Sequence, residues 1–138
     1  MTHTAILRSF FERAWNQKDE SAIDDTMAED TITHGLGEGD MIGREPFREF
    51  YRMFHDSFDS IRITIDQTME EGDYIAYRAT ARATLSPSRT FTVAGAGFTR
   101  MRHGRFAESW NYWDFHGLLT QMGVVAPDAL VKAIRSAG

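Results

Sequence analysis

Cysteine is absent from this chain of 138 residues. Disulfides, thiolate metal ligands and thiol nucleophiles are excluded with it. Proline is scarce: Pro46, Pro87 and Pro127 are the only three, each near an expected element boundary. No apolar run approaches the roughly 20 residues that a membrane helix needs. The segment Met1-Thr2-His3-Thr4 lacks the basic stretch and apolar core of a signal peptide, so a cytoplasmic location away from membranes is expected. Basic runs are missing too. Lys and Arg total 15 against 20 Asp and Glu, a net charge of −5, and no cluster of cations is available to neutralise phosphates. A nucleic-acid partner is therefore not expected. His3, His55, His103 and His116 show no ligand spacing with carboxylates, so no metal site is expected. The loop Gly35-Leu36-Gly37-Glu38-Gly39 lacks the lysine and the strand–loop–helix setting of a phosphate loop.

What the chain does have is rings: ten Phe, four Tyr and three Trp. Their spacing divides the sequence. Ile6, Leu7, Phe10, Phe11, Ala14 and Trp15 form one helical stripe, with Thr4 as a candidate cap and an end near Gln17. A short second helix follows Asp19 or Ser21, and Asp30 to Leu36 reads as a strand. Phe47, Phe50, Tyr51, Phe54 and Phe58 recur at intervals of three and four, which predicts a third helix over about Glu45 to Phe58. The row Arg44, Arg48, Arg52 on that helix reads as a solvated face.

After Phe58 the period becomes two. Ile61, Ile63 and Ile65 alternate with polar residues, and so do Ile75, Tyr77, Ala79, Ala81 and Ala83. Glu71-Gly72-Asp73, Ser86-Pro87-Ser88 and His103-Gly104 are turns, giving four long strands that end near Trp113. Short helices are expected over Asp114 to Gly123 and over Pro127 to Ala137. Helices segregated from antiparallel strands make an α+β fold, a curved sheet with the N-terminal helices over its concave face. One domain over residues 1–138 is expected, with a core at about 4–124 and a C-terminal helix at about 127–137.

Three stretches carry a family likeness. Gly104-Arg105 opens a strand that runs through Glu108-Ser109-Trp110-Asn111 to Asp114-Phe115-His116-Gly117-Leu118-Leu119-Thr120-Gln121-Met122-Gly123. Ala28-Glu29-Asp30-Thr31-Ile32-Thr33-His34 is the second, and Ile42-Gly43-Arg44-Glu45 the third. The chain resembles the SnoaL-like polyketide cyclase branch of the nuclear-transport-factor-2-like, ketosteroid isomerase-like superfamily. The resemblance implies a cone-shaped α+β barrel around an apolar pocket. It implies a small apolar ligand, no cofactor, and a homodimer formed through the outer sheet face. Its activity would be acid–base chemistry on an apolar carbonyl compound: cyclisation, isomerisation or dehydration. The alternative is a non-catalytic ligand-binding or assembly domain on the same fold.

The same resemblance assigns candidate site residues. His34 stands where the isomerase branch places its general base, and an imidazole titrates near neutrality; a structural histidine bonded to the loop is the other reading. Asn111 replaces the cyclase Asp of the Trp-Asp pair. It cannot shuttle a proton but can hydrogen-bond a carbonyl or enolate oxygen. Asp114, directly before a helix, reads as its cap. Gly95 and Gly97 replace side-chain donors and are expected to widen the pocket. Tyr77 and Tyr51 could polarise a carbonyl or serve as core. Trp15, Phe50, Met53, Phe54 and Trp113 are candidate pocket wall, with plain core packing as the other reading, and Gly97 is placed beside them. Trp110 and Tyr112 are expected on the outer face, toward a second subunit.

Overall fold

The switch from helical to alternating spacing falls where the backbone changes. The computed structural model describes residues 1–138. Its third helix, α3 (Arg44–Ser57), gives way to β3 (Ser60–Glu71) at that switch. Before it come α1 (His3–Phe11), α2 (Ser21–Thr26), β1 (Met27–His34) and a two-residue strand, β2 (Met41–Ile42). After it come β4 (Tyr74–Thr84), β5 (Thr90–Arg102), β6 (Arg105–Trp113), α4 (Phe115–Gln121) and α5 (Ala129–Ser136). No helix is long and apolar enough to cross a membrane.

Local chemistry explains the boundaries. Thr2, rather than Thr4, caps α1: its Oγ1 accepts the Ala5 N–H at 3.0 Å. One wider turn, Glu12–Asn16, extends the helix, with the Gln17 N–H reaching back to the Glu12 carbonyl. The Ala14 carbonyl accepts from His55 Nε2 at 3.0 Å, which ties α1 to α3. Asp114 caps α4 by accepting the Gly117 N–H at 2.8 Å.

The six strands form one open sheet in the order β2-β1-β6-β5-β4-β3. Every pairing is antiparallel except β1 with β6, so the sheet is mixed and does not close. Alternation decides its two faces. On β5, Phe91, Val93, Thr99 and Met101 are buried while Thr90, Thr92 and Phe98 are exposed. A register shift between Arg100 and Met101 leaves Ala107 as an extra residue on β6. Phe106 and Ser109, three apart, are consequently both buried.

α1 and α3 lay their ring stripes on this inner face, where Phe10 meets Phe47 and Phe106, and Phe11 meets Tyr77. The arginine row of α3 is not a solvated face. Arg48 is 8% exposed and pairs with Asp24, Glu20 and Glu45; Arg52 grips Glu20 with two nitrogens at 2.6 and 2.8 Å. These contacts join α3 to α2. α5 buries no residue.

Candidate functional site

Between the helices and the sheet lies a cavity of about 110 Å³. Twenty of its 24 lining residues are hydrophobic, and none carries a charge. Phe50 and Phe54 come from α3, Trp15 from the wide turn, Trp113 from the end of β6, and Phe115 from α4. The glycine-rich loop adds Leu36. Of the candidate residues, Asn111, Trp15, Phe54, Tyr77 and Trp113 come together around this space.

Three candidates do not. Tyr51 is buried behind the wall, against Trp15 at 5.2 Å and His55 at 4.5 Å between ring centres. Burial pushes its phenol up to about 12. Gly97 is covered rather than exposed to the cavity: a Cβ there would stand 2.8 Å from Tyr77 Cε1 and 2.7 Å from the Trp110 carbonyl oxygen. At Gly95 the Trp113 ring occupies the same kind of space. The glycines do not widen the pocket; two rings fill what they vacate.

His34 is the third correction. Thr31 and Thr33 are the buried residues of β1, and His34 follows Ile32 onto the other face. Its Nε2 lies 2.7 Å from Glu108 Oε2 and its Nδ1 2.7 Å from Asp40 Oδ1. The ring stacks on Trp110 at 5.4 Å. Hydrogen bonds to Glu108 first, and then to Asp40, raise its pKa above the usual histidine value. Both ring nitrogens are engaged by carboxylates on the outer face, and the ring does not line the cavity.

Inside the cavity Asn111 is held from three sides. Its Oδ1 accepts the Tyr77 hydroxyl at 3.0 Å. Its Nδ2 donates to the His34 carbonyl at 3.0 Å and to Ser109 Oγ at 3.2 Å. Burial raises the Tyr77 phenol far above its ordinary value, so it stays protonated and acts as a donor. The remaining polar lining comes from Thr33, Thr99 and Ser109. Sequence reasoning passed over these three hydroxyls. Their signal was the inward parity of their strands, readable only once the strand registers are known.

An open, twisted sheet curled over N-terminal helices around an apolar cavity defines the nuclear-transport-factor-2-like architecture. Within it, this chain belongs to the SnoaL-like polyketide cyclase family, whose family model matches residues 5–122. Wild-type IdmH of Streptomyces antibioticus, a proposed polyketide cyclase, superposes with a TM-score of 0.78 at 23% identity, over 90% of this chain and 100% of that one. A proposed polyketide cyclase of Bacillus cereus ATCC 10987 gives 0.81 at 21% identity, over 90% and 82% of the two chains. AclR of Streptomyces galilaeus, a proposed hydroxylase, gives 0.79 at 19%, over 95% and 92%. These similarities show the fold. No curated protein matches the chain by sequence.

Proposed function

We propose that this chain binds a small, neutral, apolar compound beneath its sheet and moves no proton in doing so. One observation carries the reading: no carboxylate and no imidazole lines the cavity. General acid–base catalysis needs a group within hydrogen-bond reach that can exchange a proton near the working pH. His34 and Glu108 pair with each other on the opposite face of the sheet, outside the cavity. Tyr77 holds its proton, and Asn111 has none to exchange. The cavity is also smaller than the roughly 300–1,000 Å³ usual for ligand sites, which favours a compact guest.

A catalytic reading rests on the Tyr77–Asn111 hydrogen bond. A phenol and an amide paired inside an apolar space can polarise a carbonyl. The two readings separate on 3-cyclohexen-1-one, whose shift to the conjugated enone needs proton transfer at carbon. Incubated with the protein and followed by NMR, the ketone is expected to bind and to isomerise no faster than in buffer. Accelerated isomerisation that disappears in Tyr77→Phe would establish the catalytic reading instead.

The outer sheet face supports a second proposal, a homodimer. Phe98, Trp110 and His34 form one cross-strand row there through the pairs Phe98 with Trp110 and Trp110 with His34. Phe98 and Tyr112 are 51% and 62% exposed. Large rings grouped on a surface are the usual mark of an interface.

A further inference from the structure

The loop between β1 and β2, Gly35-Leu36-Gly37-Glu38-Gly39-Asp40, is held by little. Every other residue from 35 to 39 is glycine, and no turn, loop or side-chain hydrogen bond involves residues 36–39. Leu36 is the loop's one apolar side chain. It is half-buried, packs on the core and lines the cavity, while its neighbours in the loop are exposed. Leu36 therefore stands at the rim, between cavity and solvent.

Both ends of the loop are fixed at His34. At the first end, the His34 carbonyl accepts from Asn111 Nδ2, and Gly35 lies so close that a Cβ would collide with the Asn111 carbonyl oxygen. At the far end, Asp40 Oδ1 reaches back to His34 Nδ1 at 2.7 Å and closes the loop like a clasp. The second ring nitrogen meets Glu108 of β6 at 2.7 Å, and Arg100 of β5 lies 3.6 Å from Glu108. An ionised carboxylate only accepts, and a neutral imidazole has a single N–H. Asp40 and Glu108 can therefore both be held only while His34 carries its proton. When the proton leaves, one carboxylate must let go. The Glu108 side chain is 23% exposed and keeps Arg100 beside it; that of Asp40 is 58% exposed, so water can replace the ring. Asp40 is the one released.

We propose that residues 35–40 form a gate at the cavity rim, latched shut by Leu36 and the His34–Asp40 pair, and that loss of the His34 proton unlatches it. Because Glu108 and Asp40 raise the His34 pKa, release comes at a pH above histidine's usual value. This rests on the binding reading above, since a guest would pass here, and adds control of entry to it.

The cysteine-free chain allows a direct test of entry. Ala83 is buried and lines the cavity, and Ala83→Cys puts a lone thiol there; Ala81→Cys, also lining the cavity, stands in if that variant does not fold. Labelling by methyl methanethiosulfonate, a small neutral reagent, then reports access with no guest present. The rate is compared with and without Asp40→Ala at each pH, so that the ionisation of the thiol itself cancels in the ratio. At pH 6, Asp40→Ala is expected to raise the rate about 2- to 5-fold, the worth of one part-exposed ion pair. The ratio should fall toward one as the pH is raised to 9. A ratio of one at pH 6 overturns the gate. A raised ratio that stays constant to pH 9 overturns the histidine latch. Either result leaves the binding reading standing, which the ketone experiment above tests separately.

Discussion

His34 shows how a titratable side chain can be placed for stability. It bridges the glycine-rich loop, through Asp40, to the sheet, through Glu108, and Glu108 also faces Arg100 at 3.6 Å. Its pKa is raised in the folded chain, so the folded state holds the proton more tightly than the unfolded one. The resulting stability is complete below the unfolded value of about 6.5 and is lost as pH rises through the folded value. His55 has the opposite sign. Burial against Trp15 and Tyr51 lowers its pKa, so stability falls as pH drops below about 6.5. Urea midpoints measured from pH 5 to 9 should therefore peak between these limbs. His34→Gln should flatten the alkaline limb and leave the acid one; an unaltered alkaline limb would remove His34 as its source. The family resemblance offered His34 as the pocket's base. The pattern Thr31-Ile32-Thr33-His34 misleads physically: the two threonines are buried, while Ile32 pairs with Ile42 at the sheet edge. The rule of apolar side chains inside gives the wrong face here, so neither the buried Thr33 nor the outward His34 was legible from the strand's own pattern.

Among elements, the β3–β6 meander was legible residue by residue, because adjacent strands joined by short turns announce themselves through alternation. The third helix was legible for the same reason at a different period. The two-residue β2 was not, since it is too short to show any period. Nor was the parallel pairing of β1 with β6, which no local signal encodes. The ion pairs of Arg48 and Arg52 depend on Asp24 of α2 and on Glu20 just before it, so a helix-face reading could not find them. The space above Gly95 and Gly97 likewise depends on rings from β6 and β4. Gly97→Ala would press its methyl on both the Tyr77 ring and the Trp110 carbonyl, and the carbonyl belongs to a paired strand that cannot yield. Overpacking of this kind costs about 1–3 kcal/mol. The measurement is the urea-unfolding free energy, and a loss below about 0.5 kcal/mol would mean that the tyrosine simply swings away.

At the scale of the molecule, the fold and family were legible from the closing motif, and the site only in part. Five of eight candidate residues reach the cavity, because their elements were read with the right face. For the proposed dimer, analytical ultracentrifugation should give twice the chain mass, and Tyr112→Glu with Phe98→Glu should return the mass of one chain. A wild-type protein sedimenting at 15.7 kDa would end that proposal.

The parallel contact between β1 and β6 also sets an order in time. His34 and Asn111 touch across 77 residues of chain. A nascent polypeptide has made its first three helices and strands β3 to β5 before β6, the parallel partner of β1, exists. Non-local closure of this kind slows folding. It also leaves the cavity open until β6 and α4, which carry Ser109, Asn111, Trp113, Phe115 and Leu118, are in place. An apolar guest in the closed cavity would bind only the finished molecule and would add to its stability by mass action.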